Sequence, residues 1–171
     1  WLVENSVIEK FCTFNPTEYL VYGDSIFIHP DKENELKVMP DNMEGMMIFY
    51  RTLNHQSVFF KSSVFNGGRR YNESYRVLAD WVLYNTIIHL EKGSYRHINL
   101  VVSNYDFSGF SSQPQNKSLL DNDRMKFYGD NAYYFIPMML RIYQEKKHEL
   151  KLYKSSKVVR FYFKLRSLLV K

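Results

Sequence analysis

The chain opens with a helical hydrophobic pattern that gives way to an extended one. Over residues 6–14 the apolar side chains recur every three or four positions, which predicts a helix that Pro16 ends. The apolar run 19–22 comes next and predicts a buried strand that stops at Gly23 and Asp24. The chain is therefore expected to mix helices and strands from its start.

Extended patterns dominate the following segment. Residues 25–29 and 36–39 predict the two strands of a hairpin, because the polar segment 30–34 between them has the composition of a turn. The apolar run 58–60 predicts a further short strand. This part of the chain is expected to contribute several strands to one sheet.

The rest of the chain becomes helical. Apolar residues after Asp80 follow helical spacing, and Gly93 is expected to stop that helix. A strand over residues 97–102 and a polar loop over residues 106–116 come next, and then two or more helices, with Pro137 at a start or a kink. The whole pattern predicts an α/β domain followed by a helical C-terminal region.

The composition is that of a globular domain. The chain has 171 residues, of which 45% are apolar and 24% charged, and this balance excludes a disordered chain or a coiled coil. No apolar run approaches the ~18 residues of a membrane-spanning helix. Cys12 is the one cysteine, which excludes an internal disulfide and a cysteine-rich zinc module. Its place among the apolar positions of the first helix predicts a buried thiol.

Charge is distributed unevenly along the chain. Residues 141–171 hold ten basic and two acidic residues, a net charge of +8, whereas the other 140 residues hold 13 basic and 16 acidic, a net charge of −3. Within this tail, residues 157–171 place a basic arc and an aromatic-rich apolar arc on opposite sides of a helix. That pattern favours an anionic membrane surface as the partner. A terminal helix that packs its apolar side on the body is the alternative, and nucleic acid is not expected.

Four short pieces in the stretch from His55 to Trp81 bear on function. In order they are a His-Gln pair, a double glycine, an aromatic-Asn-Glu step and an Ala-Asp-Trp step at the head of a predicted helix. This order resembles the second half of bacterial family 2 glycosyltransferases of the GT-A fold. The pieces are His55-Gln56, Gly67-Gly68, Tyr71-Asn72-Glu73 and Ala79-Asp80-Trp81.

Three flanking features agree with this resemblance. Trp1-Leu2 is similar to the residues that follow the family's Asp-x-Asp motif, and Tyr22-Gly23-Asp24 is similar to a later strand end. Gly109-Phe110-Ser111 is similar to the family's Gly-x-Ser loop. The resemblance implies that residues 1–115 are the acceptor-side part of a GT-A domain and residues 116–171 a helical extension.

The resemblance implies a partial GT-A-like (Rossmann-like) sheet that lacks the nucleotide-binding half, roughly 90 residues expected before Trp1. It implies a parent enzyme that transfers a sugar from a nucleotide-sugar to a glycan or lipid-linked acceptor with inversion, in cell-surface polysaccharide synthesis. A divalent metal, Mn or Mg, would be held by ligands upstream of Trp1. The expected location is cytoplasmic, peripheral at the inner face of the plasma membrane, and the 171 residues alone are expected to be inactive.

The catalytic base implied by the resemblance is Asp80, because a carboxylate must accept the proton of the acceptor hydroxyl. Asp80 is equally consistent with a helix cap. Relatives often carry Glu or Asp before this position, where this chain has Ala79, so a two-carboxylate arrangement is not expected.

The remaining candidate residues are implied by the resemblance as substrate-binding groups. His55 and Gln56 would orient a sugar, Glu73 and Arg76 would contact substrate, and Trp81 would stack on a sugar ring. These residues also have structural alternatives. His55 could be a histidine with satisfied hydrogen bonds at the start of a strand, Glu73 and Arg76 a surface ion pair, and Trp81 a core tryptophan.

Asp106 is the one candidate metal ligand within the chain, since hard cations accept carboxylate oxygen. A protein of another class also fits the pattern, a non-catalytic peripheral membrane or glycan-binding module, because the basic tail and the aromatic residues serve it equally. The chemistry of Asp80 separates the two interpretations.

Overall fold

A nine-residue strand, Leu20–Ile28, is the centre of the sheet in the computed structural model, which describes residues 1–44, 47–50, 52–106, 108–109 and 112–155. The fold is mixed α/β, with an open four-stranded mixed sheet and C-terminal helices. In chain order the elements are α1 (Val7–Thr13), β1 (Leu20–Ile28), β2 (Glu35–Lys37), α2 (Met47–Tyr50), β3 (Val58–Phe60), α3 (Ala79–Asn85), β4 (Tyr95–Asp106), α4 (Lys117–Asp130) and α5 (Ala132–Ser155). The predicted α/β class and helical end are confirmed.

Every other strand of the sheet pairs with β1. β4 runs parallel to it along its length, and β2 and β3 pair with it antiparallel, β2 at residues 25–27 and β3 at residues 20–22. Since a strand has two edges and β4 occupies one, β2 and β3 share the other. The residues of β1 up to Ser25 are buried, as expected for a central strand. The predicted hairpin and the strand at residues 58–60 are confirmed.

The strand predicted to stop at Gly23 instead continues through it. The register of β1 against β4 shifts on both sides of Asp24, which marks an irregularity in the pairing. A Cβ atom at Gly23 would lie 2.4 Å from the carbonyl oxygen of Leu100 and 2.7 Å from Val102 Cγ2. Gly23 therefore permits a close approach of two backbones, and it was wrong to interpret it as a stop.

The first helix ends before Pro16. Thr13 is its last helical residue and Phe14 its C-cap, and Asn15 follows in the left-handed region with φ 46°, a conformation that asparagine tolerates at a helix end. Asn15, rather than Pro16, therefore ends α1. The thiol of Cys12 is exposed, so the prediction of a buried cysteine was wrong. It lies on a side of the short helix that the sheet does not cover.

The predicted helix at residue 80 begins one residue earlier and changes type before it ends. α3 passes into a π-helical turn, Thr86–Leu90, closed by the bond from the Glu91 N–H to the Thr86 carbonyl. Lys92, with φ 54°, turns the chain out of the helix. Gly93 has a packing role, because a Cβ there would lie 2.8 Å from Ile87 Cγ2.

The chain divides into two units after Asp130. The first contains the sheet and the helices α1–α4, and its buried core includes Leu20, Tyr22, Trp81, Tyr84 and Val102. The second contains the 24-residue helix α5, in which Pro137 lies inside the helix rather than at its start. The predicted functional division after residue 115 stays a prediction. The amphipathic tail at residues 157–171 lies outside the described residues, as do Phe110 and Ser111 of the Gly-x-Ser step.

Across the residues that the structure describes, no helix has both the length and the apolar character needed to cross a membrane.

Candidate functional site

A pocket of about 440 Å³ opens in the first unit where segments from different parts of the chain meet. Its lining comes from β2 and the segment after it, from residues 52–55, from the start of α3 and from α4. The ionisable side chains that line it are Lys37, His55, Asp80, Tyr105 and Arg124. Its volume lies within the ~300–1,000 Å³ of small-molecule sites.

Asp80 is the second residue of α3, so its carboxylate lies at the positive end of the helix. Leu78 occupies the N-cap position, which sets aside the alternative of Asp80 as the cap. Asp80 Oδ1 accepts the N–H of Trp81 at 2.7 Å, and Oδ2 lies 3.2 Å from His55 Nδ1. The Asp80 side chain is 32% exposed, which leaves the carboxylate accessible from the pocket. The arrangement combines a fixed orientation with access.

His55 is positioned by residues that come immediately before it. The Leu53 N–H donates to the hydroxyl of Tyr84 at 3.0 Å, which ties the segment to α3. Asn54 Oδ1 accepts the N–H of Gln56 at 3.2 Å and starts a short 3-10 turn with His55 as its first residue. His55 therefore faces Asp80 because Tyr84 of α3 anchors the segment before His55, and Asp80 belongs to the same helix.

The start of α3 is held in turn by α4. Asp123 is buried, and its Oδ2 accepts the N–H groups of Val77 at 2.8 Å and Leu78 at 3.0 Å. These amides stand at the beginning of the helix, where intrahelical partners are lacking. A side chain distant in sequence thus does the work of a local cap, and it sets the direction in which Asp80 enters the pocket.

Three further contacts join the same segment to α4. The Tyr75 hydroxyl donates to Asp130 Oδ2 at 3.1 Å, and burial together with that carboxylate raises the pKa of Tyr75 to about 12. Lys126 Nζ donates to Ser74 Oγ at 2.7 Å and lies 4.5 Å from the centre of the Tyr75 ring. The segment before Asp80 is therefore fixed at several points.

Trp81 lines the pocket but is almost wholly buried, with 1% of its surface exposed. Its ring packs edge-on against Phe127 at 5.0 Å and Tyr128 at 5.9 Å between ring centroids. This is the environment of a core tryptophan, the structural alternative considered for it. Stacking of Trp81 on a sugar ring stays a prediction.

A buried cluster of hydroxyl and amide groups lies beneath the pocket. Ser25 Oγ and Ser57 Oγ are 2.7 Å apart, and Ser57 Oγ and Ser103 Oγ are 2.6 Å apart. Asn54 Nδ2 donates to Ser25 Oγ at 2.9 Å and to Ser103 Oγ at 3.1 Å. Because these polar groups satisfy one another, the cluster fixes Asn54, the residue before His55, relative to β1 and β4.

The wall formed by Met39 and Pro40 is held by a second histidine. His97 Nε2 lies 2.8 Å from Asp24 Oδ1, and His97 Nδ1 lies 2.7 Å from Asp41 Oδ1. The Met39 N–H also donates to Asp24 Oδ1, at 2.8 Å. This buried group ties the segment after β2 to β1 and β4 and so shapes one side of the pocket.

Asp80 influences the tyrosines around it. Burial, and then the charge of Asp80, raises the pKa of Tyr71, whose ring packs 6.0 Å from that of Phe65. Burial also raises the pKa of Tyr84 well above its usual value. Both tyrosines therefore carry their protons at neutral pH, and each hydroxyl can donate a hydrogen bond as well as accept one there.

The sequence-predicted residues are only partly brought together. His55, Asp80 and Trp81 line one pocket, whereas Gln56, Glu73 and Arg76 are exposed and are not among the described residues that line it. Within the described structure no ion pair joins Glu73 and Arg76, so that structural alternative is not realised. Their substrate contacts stay predictions.

Sequence reasoning missed Lys37 and Arg124. Lys37 ends β2 and Arg124 lies on α4, so neither is near Asp80 along the chain. Each stands in a segment rich in charged residues, where no local signal distinguishes a pocket residue from a solvated one.

The metal expected from the resemblance finds no ligand set here. Among the residues that the structure describes, no three His, Cys, Asp or Glu side chains are grouped so that they could share an ion. Asp106 Oδ1 accepts the N–H of Ser108 at 2.8 Å, and hydrogen bonds from Ser108 lower the pKa of this exposed carboxylate. The described part of the chain therefore does not fit a metal centre, and ligands before Trp1 stay a prediction.

Comparison with protein-family models, with curated proteins and with solved structures gave no match. The geometry of the pocket and the motif resemblance are therefore the two indications of function.

Proposed function

We propose that this chain forms the acceptor side of an inverting, nucleotide-sugar-dependent glycosyltransferase with a GT-A-like fold. The observation that carries the proposal is the placement of Asp80, an accessible carboxylate oriented by Trp81 and His55 at the edge of a pocket of sugar size. The substrates are a nucleotide-sugar donor and a glycan or lipid-linked acceptor, and the product belongs to a cell-surface polysaccharide.

In the proposed reaction, an acceptor hydroxyl enters the pocket beside Asp80. The Asp80 carboxylate takes the hydroxyl proton while the acceptor oxygen forms a bond to the anomeric carbon of the donor sugar. The bond from that carbon to the nucleoside diphosphate breaks, and the diphosphate leaves with the electron pair. Attack opposite the leaving group inverts the anomeric carbon.

His55 and the helix start have distinct parts in this step. The imidazole of His55, 3.2 Å from Asp80 Oδ2, limits the directions in which the carboxylate can turn. At the start of α3, the Trp81 N–H donates to Asp80 Oδ1 at 2.7 Å and fixes the other carboxylate oxygen. Asp80 is therefore held in one orientation while its side chain stays accessible from the pocket.

The proposal assigns the donor's nucleotide and the metal to residues outside this chain. The 171 residues by themselves are accordingly expected to bind acceptor but not to turn over donor. Release of nucleoside diphosphate by these residues alone would contradict this division of the site.

The proposed location is the inner face of the plasma membrane, and α5 supports it. Tyr133, Ile136, Leu140 and Tyr143 are each more than half exposed and lie within one arc of about 120° when the helix is viewed along its axis. Exposed Lys147 and Lys151 share that arc, whereas Glu145 and Glu149 lie on the other side. An exposed apolar stripe with lysines is the pattern of a helix that lies on an anionic bilayer.

The test of function compares wild-type protein with Asp80→Asn in the complete reading frame that contains this chain. Nucleoside diphosphate release is measured over a panel of nucleotide-sugars with glycan and lipid-linked acceptors. Asp80→Asn should lower transfer by about 10²–10⁴-fold, the usual contribution of a general base, with unfolding and donor binding unchanged. Asp31→Asn is the matched control, since Asp31 is exposed and does not line the pocket.

The same assay distinguishes the other class of protein. A pocket that binds glycans without releasing diphosphate, and equally well with Asn at position 80, would indicate a non-catalytic glycan-binding module. Sedimentation with vesicles tests the location separately: binding should require phosphatidylserine in phosphatidylcholine vesicles and should be lost when Leu140→Glu and Tyr143→Glu are combined. Equal binding to neutral vesicles would contradict an anionic partner.

A further inference from the structure

We propose that the acceptor bound in this pocket carries an anionic group, a carboxylate or phosphate ester on the sugar, held by Lys37 and Arg124. This inference rests on the proposed function, because it names the substrate class of the same site. It is carried by the charges of the pocket lining, by the lack of a partner for Lys37 among the described residues, and by the weak surface pairing of Arg124.

The pocket holds more positive than negative charge. Lys37 and Arg124 both line it, and Asp80 is the one carboxylate among its described lining residues. Asp80 already faces His55 at 3.2 Å. Neither cation is therefore paired with a carboxylate of the pocket lining. A neutral ligand would leave both positive charges without a counter-charge in the pocket.

Lys37 is a half-buried cation without a partner in the part of the chain that the structure describes. It lies opposite Ser25 in the pairing of β2 with β1, and its ammonium group takes part in no ion pair or hydrogen bond there. The same stretch of the lining includes Phe27 and Tyr105, whose rings pack 5.3 Å apart. An apolar neighbourhood weakens solvent screening and so strengthens the attraction of an ammonium group for an anion.

Arg124 is also largely available. Its contact in the described structure is with Asp121 at 3.5 Å, an i, i+3 pair on the surface of α4 with Asp121 54% exposed. Such exposed pairs contribute little, and a guanidinium group has five donors. Most of the hydrogen-bonding capacity of Arg124 therefore remains for a ligand, and its planar group suits a carboxylate or phosphate.

The acceptor, rather than the donor, is assigned to these cations because they share their pocket with Asp80. A base must contact the hydroxyl that it deprotonates, so the ligand beside Asp80 is the acceptor in the proposed reaction. Phosphate could also reach the two cations as part of the donor's diphosphate, which makes a nucleoside diphosphate the necessary comparison ligand.

The experiment measures binding to the intact protein by ligand-observed NMR and calorimetry. The probes are methyl glucuronide, methyl glucoside 6-phosphate, neutral methyl glucoside and uridine diphosphate. Lys37→Gln and Arg124→Gln are compared with Lys32→Gln and Arg70→Gln, matched exposed cations that do not line the pocket. The wild-type comparison of anionic with neutral sugar needs no variant and so cannot be confounded by misfolding.

Either anionic sugar should bind at least about tenfold more tightly than the neutral one, and each pocket variant should remove most of that difference, since hydrogen bonds to charged groups are strong. Asp80→Asn should retain or tighten anion binding, because it removes the one negative charge of the lining. Added salt should weaken the preference. The control variants should leave it unchanged.

Three results would overturn the inference: equal binding of neutral and anionic sugars, pocket variants that match their controls, or Lys37- and Arg124-dependent binding of uridine diphosphate alone. Efficient transfer to neutral acceptors would also overturn it while leaving the proposed function intact. Selective binding of anionic sugars with no transfer that depends on Asp80 would instead reject the proposed function and keep the binding site.

Discussion

Among the described residues of the first unit, His55 and His97 both lie beside an aspartate, and the two sites differ in burial and in hydrogen-bond partners. Asp80 and His55 are 3.2 Å apart with side chains 32% and 53% exposed. Asp24 and His97 are 2.8 Å apart with side chains 10% and 3% exposed. The second imidazole also has a carboxylate at its other nitrogen, that of Asp41.

The difference between the two pairs shows that an aspartate beside a histidine does not by itself indicate a catalytic site. In the buried pair both ring nitrogens and Asp24 Oδ1 are occupied by protein partners, so the group can only hold Met39 and its neighbours in place. In the exposed pair the carboxylate retains room for a substrate hydroxyl. Accessibility and unfilled hydrogen-bonding capacity, rather than the Asp–His combination, mark the candidate for catalysis.

The largest effect on stability is expected when the buried pair is broken. His97→Leu leaves the Asp24 carboxylate in a nearly water-free place without its imidazole, and should lower the free energy of unfolding by about 3–5 kcal/mol. Guanidinium chloride unfolding measures the change. His55→Leu is the control and should stay within about 0.5 kcal/mol, as exposed substitutions do. Equal losses for the two variants would remove the distinction between the pairs.

A third histidine, His89, shows the effect of burial where the neighbouring charge is positive. His89 is buried in the π-helical turn, and burial, aided by the charge of Lys92, lowers its pKa to about 4. The unfolded chain binds this proton near pH 6.5, so the contribution of His89 is fully present above that pH and is lost as the pH falls to about 4. The loss should reach about 3 kcal/mol. Unfolding curves at pH 7, 5.5 and 4.5 measure it, and His89→Leu should flatten this part of the pH dependence.

A smaller effect should arise where α4 fixes the exposed pair. Asp123→Asn weakens the bonds to the Val77 and Leu78 amides and should cost about 1–2 kcal/mol, the range of a lost cap. Because Asp80 follows these residues, the sugar transfer proposed for the complete reading frame should also fall, with little change in donor binding. Asp31→Asn, at an exposed position outside the pocket lining, controls for the loss of charge. Normal transfer at reduced stability would show that Asp123 does not position Asp80.

The smallest effect is expected at the second carboxylate of the buried group. Asp41 contacts His97 Nδ1 at 2.7 Å, yet its side chain is 93% exposed. Since solvent screens such a contact, Asp41→Asn should cost no more than about 1 kcal/mol, whereas Asp24→Asn should cost clearly more. Thermal unfolding of the two variants side by side gives the comparison. A greater loss for Asp41→Asn would mean that proximity outweighs burial here.

Local patterning predicted most elements of the sheet unit. The helix at residues 6–14, the hairpin, the strand at residues 58–60 and the helix near Asp80 all follow from spacing that a few neighbouring residues display. One error arose where a distant backbone matters. Gly23 looks like a stop in sequence, and only the approach of Leu100 and Val102 shows that it sits within a strand.

The candidate site, like the sheet unit, was predicted in part from the sequence. Asp80 and His55 stand at motif-like positions, and the structure brings them within 3.2 Å. Lys37, Asp123 and Arg124 could not be found in the same way, because a charged residue on a short strand or a polar helix carries no local sign of its partner. Asp123 acts as a cap for a helix whose N-cap residue, Leu78, lies 45 positions earlier in the chain.

By itself the sequence determined the α/β character, the order of the elements and the presence of a carboxylate at the head of a helix, since these depend on hydrophobic period and on neighbours along the chain. Tertiary structure alone decided that the pair Asp24–His97 is buried with its hydrogen-bonding groups occupied. It also decided that the pair Asp80–His55 faces a pocket with two cations. The reason is physical: burial, screening and hydrogen-bond occupancy are properties of what surrounds a side chain, and here those surroundings come from strands and helices that are far apart in sequence.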